Sequence, residues 1–347
     1  MPPILRINLA AVEANARVIV DWFAAYGVEV YGVTKAALGN PRIGSAMLAG
    51  GCQGLADSRW ENLRRLREAG ITAPLMLIRT PALSEVEAVV RWADLSVNTE
   101  PVVLKALDQA AGKAHTRHRI ILMVEAGDLR EGKELAELLD LVDLCQSLPN
   151  LELAGIGCNM GCLSTSGPSA TSQGILQQAV ALVEGRLEKK LAIVSGGNSG
   201  LLYREGLLTL SAAVTQVRVG EALLLGKDPV EEQFLPTLRQ DGFVLEAEVI
   251  EVGTKQSPEG DGAVGQTQVV SALGRQDLGA GSLVVPEDMV LLGVSSDHLV
   301  LRWMGGDGAS SQRMPPRVGE RVKFLPDYEA LVGLMTSPFV TKTFVKA

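Results

Sequence analysis

The chain has 347 residues, 47% of them apolar and 4% aromatic, enough to bury one large core and a smaller second one. Its 32 basic and 40 acidic side chains give a formal charge of -8 without a basic stripe, so we expect no nucleic-acid partner. No apolar stretch reaches the roughly 18 residues of a membrane span, and the four cysteines lack disulfide-like or zinc-like spacing, so we expect a cytoplasmic protein with no membrane or metal partner.

Short β-branched runs alternate with helical stretches from Val28 to about Gly226. The Asn40-Pro41 pair can cap and open one of these helices, and Gly70 can end the next. The predicted strands are Val28 to Val33, Gly54 to Ala56, Leu75 to Ile78, Leu95 to Val97, Ile120 to Val124, Leu153 to Gly157, Ala192 to Val194 and Thr215 to Val219. Eight strand-helix units in about 200 residues predict a parallel (β/α)8 TIM barrel rather than an open sheet.

From Asp241 onwards the pattern changes to period-2 alternation broken by Gly and Pro, as in Val244 to Ile250 and Arg317 to Phe324. This pattern predicts a C-terminal all-β domain, with Gly305 to Gln312 as a polar hairpin tip. Leu5 to Leu9 also has the pattern of a strand. We therefore expect a strand in residues 1–10 that joins the C-terminal β domain, a barrel in residues 11–230 and the β domain itself in residues 231–347.

A lysine stands at the end of the first barrel strand, in Gly32-Val33-Thr34-Lys35. In such barrels the chemistry lies where the strands end and the following loops begin. The lysine amine can condense with an aldehyde only while it is deprotonated, and we expect burial in the barrel mouth to favour that form. A surface lysine on a loop is the alternative interpretation.

The turn after the seventh strand, Ser195-Gly196-Gly197-Asn198-Ser199-Gly200, has the composition of an anion cradle. Its glycines let the backbone approach an anion, and Asn198 or Ser199 can cap the helix that follows. The eighth strand ends in Arg218-Val219-Gly220-Glu221, whose amides can complete the cradle. A strand-end lysine, a phosphate cradle and a strand arginine together indicate a site for pyridoxal 5'-phosphate, held through the lysine as a Schiff base.

The chain resembles the alanine racemase family, the type III fold of pyridoxal phosphate enzymes, and within it most resembles the bacterial ornithine racemases. The resemblance covers nearly the whole length, and the ordered set of motifs is specific although no single one is. The motifs are Gly32-Val33-Thr34-Lys35 with Gly39-Asn40-Pro41, Ala56-Asp57-Ser58-Arg59 with Glu61-Asn62-Leu63, Leu122-Met123-Val124 with Gly127-Asp128-Leu129-Arg130-Glu131-Gly132, Gly196-Gly197-Asn198-Ser199, Arg218-Val219-Gly220-Glu221, Leu273-Gly274-Arg275-Gln276-Asp277 and Ser295-Ser296-Asp297-His298.

The resemblance implies a racemase that interconverts L- and D-amino acids by removing the Cα proton from a substrate bound to pyridoxal phosphate as an external aldimine. It makes Lys35 the Schiff-base lysine and a proton-transfer group, and it implies a homodimer in which the β domain completes the neighbouring site. The expected site residues are Lys35 and His298 for catalysis; Lys35, Arg130, Asn198, Ser199, Arg218, Gly220, Glu221 and Tyr328 for the cofactor; and Arg130, Asp128, Ser296 and Asp297 for the substrate.

By the same resemblance, Arg218 faces the pyridine nitrogen of the cofactor. An arginine does not give up its proton, so it cannot protonate that nitrogen and the ring is a poorer electron sink. Such a site favours quick reprotonation at Cα over transamination. Arg218 as an ordinary salt-bridging strand residue is the alternative.

The chain departs from the alanine racemase pattern at three places. Gly39 stands where the family has a tyrosine after the cofactor lysine, and Asn159 stands where it has a histidine. The tyrosine that serves as the opposite-face base falls near Val264, in a stretch without an ionisable side chain.

Racemisation with two bases requires one base on each face of Cα. His298 is the first candidate for the second base, because a histidine exchanges protons near neutral pH. Tyr328 and Cys158 follow, and Lys35 acting alone is a further possibility.

A basic substrate such as ornithine or lysine needs a carboxylate to receive its terminal ammonium. The candidates are Asp57, Glu125, Asp128, Glu221 and Asp297, each of which can equally be a helix cap or a surface charge.

Three other functions fit parts of the sequence. A metal-assisted type III lyase or aldolase acting on D-amino acids would need His and Cys ligands in the β domain, which has one histidine and no cysteine. A second alternative is a non-catalytic pyridoxal phosphate carrier. Proteins of that kind resemble only the barrel of this chain, so the additional β domain weighs against this function. An unrelated Schiff-base aldolase predicts no cofactor absorbance.

Overall fold

The computed structural model describes residues 2–161, 167–202, 210–255, 266–305 and 314–345. The chain divides into two compact units, one formed by Val12–Arg239 and the other by Met1–Ala11 together with Gln240–Ala347. No helix in these described stretches is long and apolar enough to cross a membrane.

The strands and helices of the described residues follow each other in this order: β1 (Ile4–Asn8), α1 (Leu9–Ala24), β2 (Glu29–Val33), α2 (Pro41–Ala49), β3 (Gly54–Asp57), α3 (Trp60–Glu68), β4 (Leu75–Leu77), α4 (Val86–Trp92), β5 (Leu95–Asn98), α5 (Pro101–Lys113), β6 (His118–Val124), α6 (Leu135–Ser147), β7 (Leu151–Cys158), α7 (Ala170–Leu187), β8 (Ile193–Ser195), β9 (Gln216–Val219), α8 (Glu221–Leu225), β10 (Phe243–Lys255), β11 (Gln266–Ala272), α9 (Arg275–Leu278), β12 (Leu283–Val284), β13 (Met289–Val294), β14 (His298–Trp303), β15 (Arg321–Pro326), α10 (Tyr328–Thr336) and β16 (Thr341–Val345).

The larger unit contains a closed parallel barrel, and its strands in the described part of the chain run in order from β2 to β9. Closure comes from parallel pairing of β9 with β2, with Gly32 opposite Val219. The predicted fold class is therefore confirmed. Closure also has a consequence for chemistry, because the carboxyl ends of the first and last barrel strands lie side by side.

The barrel is filled with apolar side chains rather than open along its axis. The buried cluster consists of Tyr31, Val33, Ala56, Met76, Leu95, Val97, Ile121 and Met123. One helix around the sheet begins at the capping signal that the sequence predicts. Pro41 opens α2 after Asn40, whose side chain accepts a hydrogen bond from the Arg42 amide.

A buried histidine lies on the outer side of the sheet. His118 Nε2 is 2.9 Å from Ser96 Oγ, and Asn98 Nδ2 donates to the same hydroxyl at 3.0 Å. Burial lowers the pKa of His118 from 6.5 to about 4. Between pH 6.5 and about 4 the unfolded chain binds a proton at His118 that the folded protein does not. The stability contributed by the neutral histidine is therefore fully present above pH 6.5 and is lost as the pH falls to about 4.

We therefore expect the free energy of unfolding to drop by up to about 3 kcal/mol between neutral and acidic pH because of this one residue. His118→Gln should flatten that dependence, since glutamine has no proton to bind and keeps an amide near Ser96. Denaturant unfolding at a series of pH values measures the effect. Parallel pH profiles for the variant and the wild type would show that His118 is not its source.

The smaller unit is a mainly antiparallel sheet with the strand order β12-β15-β10-β11-β14-β13. The N-terminal strand β1 pairs antiparallel with β10 and parallel with β16. This unit also contains helices that the alternating pattern did not predict. Asp327 caps α10 by accepting from the Ala330 amide at 2.7 Å, and the helix buries Ala330, Leu331, Leu334 and Met335. The predicted hairpin tip lies outside the described residues from position 306 onwards.

Candidate functional site

Lys35 lies where the sequence predicts, directly after the barrel strand β2. Thr34 separates it from the strand, and Lys35 begins a short 3-10 turn through Ala37. Its side chain is exposed, whereas Ala36 and Ala37 are buried. The burial of Lys35 expected from the sequence is therefore not found in the single chain, because the buried residues of this turn are the two alanines.

The anion cradle lies beside the strand that leads to Lys35. The backbone amides of Gly220 and Ala222 both donate to Ser199 Oγ, each at 3.3 Å, and Ser199 is buried. A Cβ added at Gly220 would stand 3.1 Å from Val33 Cβ, two residues before Lys35. Barrel closure thus brings the cradle next to the lysine turn. The two amides at the start of α8 converge on an oxygen atom, as they would on a phosphate.

The glycines of the cradle are packed closely against leucine side chains. A Cβ at Gly197 would lie 2.0 Å from Leu201 Cδ1, and one at Gly196 would lie 2.4 Å from Leu176 Cδ2. Asn198 fixes the turn, since its Nδ2 donates to the Met160 carbonyl at 2.7 Å and its Oδ1 accepts from the Gly200 amide at 2.9 Å. The predicted capping role therefore belongs to Asn198, and the segment that follows is a 3-10 helix, Ser199–Leu202.

Arg218 lies in β9 with its side chain buried, in register with Tyr31 of β2. Its guanidinium donates to the carbonyl of Cys158, the last residue of β7, and its backbone amide donates to the Gly197 carbonyl at 2.9 Å. A carbonyl partner leaves the positive charge of the guanidinium intact. The residue therefore fixes a permanent cation between β7 and the cradle.

The loop after β6 carries the predicted Arg130 and Asp128. Arg130 Nε lies 3.7 Å from the buried carboxylate of Asp128, and Arg130 Nη2 lies 3.2 Å from Glu131 Oε1. Asn159, which follows β7, donates to the same Glu131 oxygen at 3.2 Å. Glu131 therefore links the two loops. This link was not predicted from the sequence, although Glu131 lies within the motif that contains Arg130.

Comparison with known proteins agrees with this geometry. The family described as alanine racemase, N-terminal domain, matches residues 7–228. The chain belongs to this family. It is 34% identical to a lysine racemase of Thermotoga maritima over 99% of this chain and 98% of that protein. It is 31% identical to an ornithine racemase of Acetoanaerobium sticklandii over 99% of both chains.

Solved structures share the fold of the whole chain. An alanine racemase from Streptomyces lavendulae aligns with a TM-score of 0.79 at 18% identity, covering 100% of this chain and 98% of that one. A D-threonine aldolase from Filomicrobium marinum aligns with a TM-score of 0.77 at 16% identity, covering 96% and 88%. Because racemases and an aldolase have this fold, it does not distinguish the two reactions.

Two of the carboxylates considered for a substrate ammonium serve the fold of this alanine racemase family member. Asp57 is completely buried and accepts from Thr34 Oγ1 at 2.7 Å and from Asn62 Nδ2 at 3.0 Å. Burial raises its pKa, although these hydrogen bonds favour the charged form. Glu125 accepts from the backbone amides of Gly127 and Leu129 at 2.6 and 3.1 Å and so shapes the loop.

The structure also explains one departure from the family pattern. Gly39 has a φ of +58°, and a Cβ there would lie 2.6 Å from Asn62 Cβ. A tyrosine therefore does not fit at this position unless the start of α3 moves. The position of the family's second base, near Val264, lies outside the described residues.

The candidates for a second base are distributed over both units. Cys158 is completely buried at the end of β7, which disfavours its contact with a substrate. His298 lies at the exposed start of β14 in the smaller unit, and Tyr328 is half-buried in the first turn of α10. Ser296 Oγ donates to Asp297 Oδ2 at 2.8 Å, and Asp297 Oδ1 accepts from Gln276 Nε2 at 3.1 Å. The roles of these residues stay predictions.

Proposed function

We propose that this chain is a pyridoxal phosphate-dependent racemase of a basic amino acid, ornithine or lysine. The observation that carries the proposal is the pair of converging amides of Gly220 and Ala222, buried beside the strand end that precedes Lys35. The site therefore offers an amine and a phosphate cradle on neighbouring strands. The full-length similarity to a lysine racemase and an ornithine racemase supports the substrate class.

The residues present fit the cofactor. Its phosphate would accept hydrogen bonds from the two amides that donate to Ser199 Oγ in this structure. The glycines of the preceding turn are packed closely against leucine side chains. Lys35 would bind the aldehyde carbon through Nζ. Once bound, pyridoxal phosphate withdraws electrons from the Cα–H bond of the amino acid and makes that proton acidic.

Three residues of the site would then have separate roles. Lys35 Nζ removes or returns the Cα proton on one face. Arg218, held by the Cys158 carbonyl, would face the ring nitrogen and would supply no proton to it. Arg130, anchored by Asp128 and Glu131, is in a position to bind an anionic oxygen. In this arrangement the proton would return to Cα instead of moving to another atom, as racemisation requires.

The second proton needs a donor on the opposite face of Cα. Our proposal assigns this role to His298 of the partner subunit in a homodimer, with Tyr328 contacting the cofactor. Ser296 and Asp297, next to His298 in sequence, and Asp128 in the barrel are the groups we propose for the substrate. His298→Ala that keeps full turnover would remove the histidine from this scheme.

The test is incubation with L-ornithine, L-lysine or L-alanine in deuterated water. We expect ornithine or lysine to lose optical rotation and to exchange the Cα proton, whereas alanine should react at least about tenfold more slowly because it lacks the terminal ammonium. Retained optical purity with every diamino acid would favour the carrier function. Release of glycine and an aldehyde from a β-hydroxy D-amino acid would favour the aldolase function.

A further inference from the structure

The residue before the cofactor lysine is held from two directions. The Thr34 amide donates to the Ala56 carbonyl at 2.9 Å, as a continuation of the β2–β3 pairing. Thr34 Oγ1 donates to Asp57 Oδ2 at 2.7 Å. Thr34 and Asp57 are both completely buried. Because Lys35 follows Thr34 directly, the conformation of Thr34 sets the direction in which the lysine side chain leaves the barrel rim.

Asp57 is itself fixed at the end of β3. Its Oδ1 accepts from the Arg59 amide and from Asn62 Nδ2, both at 3.0 Å, at the start of α3. The Asp57 carboxylate therefore accepts hydrogen bonds from three sources: Thr34 after the neighbouring strand, its own loop and the following helix. A buried group with this many partners has little freedom to move.

The residues that end the turn begun by Lys35 also contact Thr34 and Asn62. The Thr34 carbonyl accepts from the amides of Ala37 at 2.9 Å and Gly39 at 3.3 Å. Gly39 packs so closely on Asn62 that an added Cβ would lie 2.8 Å from the Asn62 carbonyl oxygen. Both ends of the turn thus lie on one group of side chains, formed by Thr34, Asp57 and Asn62, which we name the lysine-turn clamp.

We infer that Thr34 and Asp57 are positioning residues, whose hydrogen bond holds the turn so that Lys35 Nζ meets the aldehyde carbon of pyridoxal phosphate while the phosphate lies in the Ser199–Gly220 cradle. This inference rests on the proposed function. The clamp acts through geometry and not through the negative charge of Asp57. Neither residue touches the reacting atoms in this scheme, and both act through Lys35.

The chain offers variants that separate geometry from charge. Thr34→Val keeps the shape of the side chain but removes the hydroxyl, and Thr34→Ser restores a hydroxyl. Asp57→Asn removes the charge but can keep the clamp, because the amide can donate to Thr34 Oγ1 while its oxygen accepts from the Arg59 amide. Ser96→Ala is the matched control, since it removes buried hydrogen bonds to His118 and Asn98 on another barrel strand.

The measurement is titration of the purified protein with pyridoxal phosphate, followed by its visible absorption, together with the thermal unfolding midpoint of each variant. We expect Thr34→Val to weaken cofactor attachment about tenfold, the equivalent of one buried hydrogen bond. Thr34→Ser and Asp57→Asn should stay within about twofold of the wild type. Ser96→Ala should lower the unfolding midpoint without weakening attachment.

Each alternative result has a definite meaning. Equal attachment in Thr34→Val and the wild type overturns the inference, as does equal weakening in Thr34→Val and Ser96→Ala, which would mean that general stability controls attachment. Weakening in Asp57→Asn at an unchanged unfolding midpoint assigns the effect to charge and also overturns it. If Thr34→Val does not fold, Thr34→Ala, which also lacks the hydroxyl, takes its place with the same expected weakening. A wild-type protein that shows no cofactor absorption refutes the proposed function itself.

Discussion

Lys35→Ala is expected to lower the racemisation rate by at least about 10³-fold, because one substitution removes both the covalent anchor of the cofactor and a proton-transfer group. The visible absorption of the bound cofactor should disappear at the same time. The measurement is the rate of loss of optical rotation with L-ornithine or L-lysine, alongside an absorption spectrum of the loaded protein.

The fold should tolerate this change. Lys35 is exposed, and the turn that it begins is held by the buried residues Thr34, Ala36 and Ala37. Surface substitutions of this kind change stability by about 0.5 kcal/mol or less, so the unfolding midpoint should stay nearly constant. Lys35→Arg is the matched control, because arginine keeps the positive charge but provides no neutral amine. A Lys35→Ala protein with more than a tenth of the wild-type rate would contradict the assignment.

Ser199→Asp is expected to give the second largest effect. The amides of Gly220 and Ala222 that converge on Ser199 Oγ can equally donate to a carboxylate at position 199. A fixed negative charge there would satisfy the cradle from within and repel a phosphate. We expect affinity for pyridoxal phosphate to fall about 100-fold, or about 3 kcal/mol, while the fold keeps its stability because a carboxylate is favourable at a helix N-terminus.

Pyridoxal without its phosphate serves as the comparison ligand for this variant. The wild type should bind pyridoxal phosphate far more tightly than pyridoxal, and Ser199→Asp should remove most of that difference. Ser199→Ala, which removes the hydroxyl without adding charge, should fall between the two proteins. If Ser199→Asp bound pyridoxal phosphate as tightly as the wild type, the phosphate would have to lie elsewhere.

The barrel was predictable from the sequence because its strands are short β-branched runs separated by helices with clear capping signals. The positions of the candidate site residues in or near strand ends were predictable for the same reason, since parallel strands place their carboxyl ends at one rim. Lys35, Ser199 and Arg218 all belong to this class. Their proximity follows from barrel closure, in which β9 pairs with β2.

Other features depend on contacts that no local pattern encodes. Glu131 and Asn159 are 28 positions apart and meet because their loops follow neighbouring strands. The exposure of Lys35 depends on which face of a three-residue turn packs inward. The helix α10 was missed because it is short, contains Gly333 and lies among strands. Each is a tertiary effect that overrides local sequence preference.

The central claim is that Lys35 carries pyridoxal phosphate covalently beside the Ser199–Gly220 cradle. Borohydride reduction of the loaded wild-type protein, followed by proteolysis and mass mapping of the peptides, tests it most directly. We expect one modified residue, Lys35, with the mass of the reduced phosphopyridoxyl group. A label on another lysine, or no label in protein that racemises its substrate, would contradict it.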